Sequence, residues 1–210
     1  MAWQFVDIHT HEPLGDKLGL RSVRFGVDDT EGLCGAISVG VHPWDVEKVS
    51  DFVDELRRVE CAAIGEVGLD KACGVDFGLQ SQIFEQQVHI AIERNLPLIV
   101  HNVRAQQEIV RILAQSPTLA VIFHGFIGSL QQAEQLWQLG YYTSFGFGAM
   151  RSPKTMEALR VCPSDRLFLE TDVDARSIVS LYEEVVRLRG VPMEELKSDI
   201  YNNYKRMFDR

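Results

Sequence analysis

The feature that most constrains this chain is a rhythm. Short apolar runs alternate with amphipathic stretches of helical period, and run after run ends in a histidine or a carboxylate. The runs are "FVDIH" (5–9), "GAISVGVH" (35–42), "CAAIGEVGLD" (61–70), "LPLIVH" (96–101), "LAVIFHG" (119–125), "GYYTSFGFG" (140–148) and "RLFLETD" (166–172). They are apolar almost throughout, the pattern of parallel strands covered on both faces. Between them, 78–95, 104–115, 129–139 and 174–189 have helical periodicity. In 78–95 the apolar stripe is Phe84, Val88, Ala91 and Ile92, with Asn95 as the expected stop. Ser129 is the expected N-cap of 129–139. Such alternation builds βαβ units and a parallel sheet.

The strand-end residues are His9 and His11, His42, Glu66, His101, His124 and Asp172. In a (β/α) barrel the C-terminal strand ends carry the active site, whereas an open doubly wound sheet gathers ligands only near one switch point. Several strands delivering such side chains to one place favour the closed ring. Successive strand-end residues stand roughly 30 positions apart, the length of a βα unit in a barrel of ~250 residues. From His124 to Asp172 the chain spends two units, with "YYTSFGF" as a strand that contributes no ligand. The expected fold is a TIM-type (β/α) barrel forming a single domain over 1–210. Only seven strands stand out, and "LRSVRF" (20–25) is the one polar, short candidate for the eighth. A distorted or seven-stranded barrel is therefore left open.

Composition sets outer bounds. With 210 residues, 46% apolar and 24% charged, the chain has the profile of a globular domain able to bury a substantial core. No apolar run approaches the ~18–20 residues of a membrane span, and Asp7, His9 and His11 interrupt any leader-like N-terminus, so cytoplasm is expected. Cys34, Cys61, Cys73 and Cys162 lack C-x-x-C spacing and are read as reduced, mostly buried thiols. A net charge of −9 argues against tight non-specific binding to a polyanion but leaves an anionic substrate open, because bound cations bring their own charge.

His9 and His11 face the same side of a strand, as a ligand pair or as hydrogen-bonded strand-end groups. Glu66 sits between glycines in "AAIGEVGLD", where an ionised carboxylate costs several kcal/mol unless paired or metal-bound. Its strand holds no Arg or Lys to pair with, which favours a ligand. His101 and His124 end successive apolar strands, either as core histidines or as ligands. Glu170, two residues before Asp172, is read as a supporting or structural group, and His89 as a surface residue in mid-helix. Four histidines and two carboxylates are a donor set for two ions, and suit Zn, Mn, Fe or Ni. Two ions about 3.5–4 Å apart form a hydrolytic centre.

These segments resemble the TatD family of metal-dependent hydrolases and deoxyribonucleases, within the amidohydrolase-like barrels. "DIHTH" is similar to its D-x-H-x-H, "VGVHPWD" to G-x-H-P, "AIGEVGLD" to A-I-G-E-x-G-L-D, and "NLPLIVHNVRA" to L-P-x-x-x-H. "VIFHGFIGS", "LFLETDVD" and the closing "NNYKRMF" resemble H-x-F-x-G-S, L-x-x-E-T-D and N-x-x-R-x-F. The resemblance implies two divalent ions (Zn, Mg or Mn). It implies His9, His11, Glu66 and Asp172 as ligands of one ion, with Glu66 bridging to a second held by His101 and His124. Asp172 would also be the general base, and DNA or a small phosphoester the substrate. His42 would contact substrate phosphate from the rim, or be a turn residue held by Pro43. Arg104 would do the same, or be a solvated helix-start residue. No obligate protein partner is implied. The chain departs at Glu12-Pro13, "HNVRA", "HGFIG" and "ETDVD", positions that spare the ligands and alter the rim. Hydrolysis of another phosphoester or ester is the alternative, and a non-catalytic metal-binding barrel a further one. The PHP phosphoesterases would need more histidines, and dihydroorotase-type enzymes a bridging lysine.

Overall fold

A computed structural model of the chain describes residues 3–29, 36–116 and 118–209. Cys34 and Gly35 lie outside the described residues. The strands are β1 (Val6–Thr10), β2 (Leu18–Arg24), β3 (Ile37–Gly40), β4 (Ala63–Asp70), β5 (Leu98–Val103), β6 (Val121–Phe123), β7 (Tyr142–Phe145) and β8 (Leu167–Leu169). They follow in sequence order in one eight-stranded sheet. The β1–β2, β3–β4, β4–β5 and β7–β8 registers are all parallel. A parallel bridge from Thr10 to Asp172 sets β1 beside the residues that follow β8, so the order returns to its start. This is the connectivity of a TIM-type (β/α) barrel. The helices are α1 (Phe52–Leu56), α2 (Phe77–Arg94), α3 (Gln106–Leu113), α4 (Leu130–Gln138), α5 (Pro153–Val161), α6 (Ile178–Arg189) and α7 (Met193–Phe208). No helix among the described residues is long and apolar enough to cross a membrane.

The seven-stranded option does not hold, because β2 is present two residues earlier than "LRSVRF" suggests. Residues 11–17 join β1 to β2 without a helix, which is why the region reads as compressed. Gly19 makes the pairing possible. Its φ is 149°, and a Cβ there would meet the Asp7 carbonyl oxygen at 1.7 Å. The polar residues that disguise β2 have work: Arg24 donates from Nε to Asp45 at 2.8 Å, and Lys48 reaches the other Asp45 oxygen at 2.7 Å. Asp45 is fully buried in the turn after His42, so this pairing holds that turn.

The chain packs as two compact units, Met1–Arg21 with Phe123–Arg210, and Ser22–Ile122. In the second, α2 buries Phe84, Val88 and Ala91 as expected, but Ile92 is 43% exposed and falls outside the stripe. Phe84 and Val88 each add roughly 1.5–3 kcal/mol by burial. Asn95 ends α2 in the left-handed region, as the sequence predicts. Two buried α2 glutamines also stitch the strand ends. Gln87 accepts the Val41 N–H at 2.7 Å and donates to the Val41 carbonyl at 3.0 Å. Gln80 accepts the Asp70 N–H at 2.8 Å and donates to the Asp70 carbonyl at 3.2 Å. In the first unit Ser129 caps α4 through a capping box with Gln132, and the Tyr182 hydroxyl bonds both backbone groups of Val6.

Gln87→Leu keeps the volume of the side chain and orphans both Val41 groups. It should destabilise the protein by about 2 kcal/mol, read as a lower urea midpoint at unchanged slope. An unchanged midpoint would mean that water replaces the amide.

Candidate metal centre

In the Ser22–Ile122 unit the donors come from the turn after β3 and from within β4 and β5, so Glu66 and His101 stand inside their strands rather than at the strand ends that the sequence suggests. Glu66 is 5% exposed. Its Oε1 lies 2.7 Å from His101 Nδ1 and 3.2 Å from His42 Nε2. One donor atom from each of His42, Glu66 and His101 lies within 4.8 Å of the others. Gly68 permits this: opposite His101 in the register, its φ is 144° and a Cβ would meet the His101 carbonyl oxygen at 2.0 Å. Bare backbone at Gly68 lets β5 close against β4 and set His101 against the Glu66 carboxylate.

His42 is buried rather than standing at an exposed rim. Its Nδ1 accepts the Trp44 N–H at 3.2 Å, which leaves the proton of the neutral ring on Nε2, facing Glu66. Burial lowers the His42 pKa, against the opposing pull of Glu66, so the ring stays neutral. His42 is thus both a turn residue and a donor that orients Glu66. Arg104 is exposed in the left-handed region, φ 56°, just before α3. His89 is exposed on α2.

Asp70 is a residue that sequence reasoning quoted without a role. Buried at the end of β4, it faces His101 Nε2 at 3.3 Å. It also accepts the Trp44 indole N–H at 2.7 Å and the Ala72 N–H at 2.7 Å. Burial pushes its carboxyl up, but the donors from Trp44, Ala72 and His101 outweigh this and hold it below the usual range. The signal for it was spacing: four residues after Glu66, on the same face of one strand.

In the other unit His9 lies within β1, and His11, His124 and Asp172 follow β1, β6 and β8. His9 Nε2 and His11 Nε2 lie 3.7 and 3.5 Å from the same oxygen of Asp172. The His9 and His124 rings are 4.2 Å apart between centroids. Asp172 sits in the left-handed region at φ 53°, held by backbone bonds to His9 and His11. Beneath it, the fully buried Asp7 accepts both the N–H and the hydroxyl of Thr171 at 2.8 Å. Glu170, read from sequence as a supporting group, is fully buried with Oε1 3.4 Å from His124 Nδ1.

Both donor sets fit a divalent cation. They combine imidazole nitrogens with carboxylate oxygens, and donors a few ångströms apart can share an ion whose bonds are roughly 2.0–2.2 Å long. Asp70 and Glu170 stand where carboxylates orient metal-bound histidines.

The sequence profile described as "TatD related DNase" matches residues 30–209. The uncharacterized metal-dependent hydrolase YabD of Bacillus subtilis (strain 168) is 31% identical over 196 residues, covering 81% of this chain and 76% of that protein. The corresponding hydrolase YjjV of Escherichia coli (strain K12) is 31% identical over 199 residues, covering 82% of this chain and 76% of its own. The crystal structure of YjjV, a TatD homologue, matches with a TM-score of 0.86 and 25% identity over 100% of both chains.

Two outcomes test this geometry. Asp70→Asn should weaken divalent-cation binding about 10–100-fold in competition with a chelator; unaltered affinity would remove Asp70 from the centre. The second concerns Asp7, whose pKa burial raises from 3.8 to about 6 against the opposing Thr171 bonds. The folded state therefore takes up a proton that the unfolded chain lacks, so the contribution is complete at low pH and declines as pH rises through this window. Relative to Asp7→Asn, the metal-free protein should lose about 2 kcal/mol of unfolding free energy between about pH 4 and about pH 6. A difference independent of pH would mean that Asp7 ionises normally.

Proposed function

The chain belongs to the family of TatD-related DNases and is a metal-dependent hydrolase of that type, and from this premise we propose that it cleaves phosphodiesters, with DNA the first candidate substrate. The observation that carries the reading is the position of Asp172. Its carboxylate is partly exposed, shares one oxygen with two histidines, and is held by a strained backbone turn. A strained, over-determined residue of this kind suits a reacting group.

In this reading His9, His11, Glu66, His101, His124 and Asp172 hold two divalent ions drawn from Zn, Mg or Mn. Bound there, the ions would lower the pKa of the attacking water and stabilise charge on the attacking and leaving oxygens. Asp172 accepts the proton of that water and returns it to the leaving oxygen. Thr171, fixed by Asp7, keeps the Asp172 turn in place. His42 holds Glu66 in its orientation, and Arg104 is an exposed cation available to substrate phosphate. With a net charge of −9, the protein draws affinity for DNA from the centre itself rather than from a basic surface.

The test is a screen of protein stripped by chelator and reloaded separately with Zn, Mg or Mn. The substrates are single-stranded DNA, RNA, bis(p-nitrophenyl) phosphate and small carboxylic esters. Two ions per chain and hydrolysis of the phosphodiesters are expected, and fewer than one ion per chain overturns the two-ion centre. Asp172→Asn should lower turnover by about 10²–10⁴-fold while retaining ions. A fully active variant would remove Asp172 as base, and hydrolysis of carboxylic esters alone would move the substrate class.

A further inference from the structure

A cavity of about 360 Å³ opens at the ends of β6, β7 and β8, with Asp172 in its wall. That size lies within the range of roughly 300–1,000 Å³ usual for small-ligand sites. Glu170 and Asp174 also line it, and the rest of its wall differs in character from the donor cluster. Ile127 and Val173 present exposed apolar side chains, and Arg151 enters from the short turn after β7. None of these is a candidate ion ligand.

The segment after Asp172 builds a staple. Asp174 accepts from Arg176 Nε at 2.9 Å, from Arg176 Nη2 at 2.7 Å and from the Arg176 backbone N–H at 3.1 Å. The same guanidinium lies over the Phe147 ring at 3.7 Å from its centroid. The Asp174 charge is thereby committed to Arg176. Arg151 is left with a long 3.8 Å approach to Asp174 and a side chain 75% exposed. A surface pair of that length adds little and yields readily to a better anion. The guanidinium fork matches phosphate bidentately.

We propose that this cavity is a subsite beside the scissile ester, in which the apolar walls take the nucleoside and Arg151 binds a second phosphate on it. The Asp174–Arg176–Phe147 staple keeps Asp174 from capturing Arg151. This deepens the phosphodiesterase reading and rests on it. The preferred substrate class is then a nucleotide chain or end with a phosphate on the nucleoside next to the cleaved bond.

The test is calorimetric binding of thymidine 3′,5′-bisphosphate and thymidine 5′-monophosphate to the metal-loaded protein, beside hydrolysis of thymidine dinucleotides with and without a terminal phosphate. Wild type should prefer the bisphosphate. Arg151→Ala should weaken it about tenfold, the worth of one charge-assisted contact, while monophosphate binding changes less than about twofold. Arg151→Lys should restore part of the preference, and Arg176→Ala should lose it by releasing Asp174 to Arg151. Equal affinity of wild type for the two ligands, or equal weakening of both by Arg151→Ala, overturns the subsite. If wild type discriminates the ligands but cleaves no diester, the phosphodiesterase reading fails and the subsite stands.

Discussion

A carboxylate buried in an apolar strand cannot stand alone, and much of this molecule follows from that. Asp7, Glu66, Asp70 and Glu170 are all buried in or beside strands that are otherwise hydrophobic. An isolated charge in such a place costs several kcal/mol, so each must be met by donors or by a cation. Asp70 is met by the Trp44 indole and by backbone N–H groups, and Asp7 by both donors of Thr171. Glu66 and Glu170 are met by imidazoles. The imidazoles among these partners are also good metal ligands. The same requirement therefore sets both the packing of the strand ends and their chemistry.

Close backbone approach is the second condition. Gly19 lets β2 lie against the Asp7 carbonyl, and Gly68 lets β5 lie against β4 where His101 must meet Glu66. At both places any side chain would collide with a carbonyl oxygen. The α2 glutamines then hold the resulting strand ends by acting as a surrogate strand, satisfying backbone groups that the sheet leaves over.

The rim obeys different rules from the centre. Staple contacts such as Asp174–Arg176–Phe147 join loops, where substitution does not disturb the strands. Such contacts can change while the donors on the strands stay in place. In the "ETDVD" segment the second aspartate fixes an arginine on an aromatic face.

Sequence alone determined the parallel β/α alternation, because strands buried on both faces must be apolar throughout. It also marked the candidate donors, because a histidine or carboxylate stands out in such an apolar run. It hid β2, whose Arg21, Ser22 and Arg24 break the apolar pattern although Arg24 is needed by Asp45. It also put Ile92 on the wrong side of α2, since helical spacing does not mark where a buried stripe ends. Tertiary structure decided the rest: that His42 is buried against Glu66, that Asp70 faces His101, and that Arg176 covers Phe147. Those contacts join residues distant in the chain, and no local periodicity records which side chains meet when strands and loops converge.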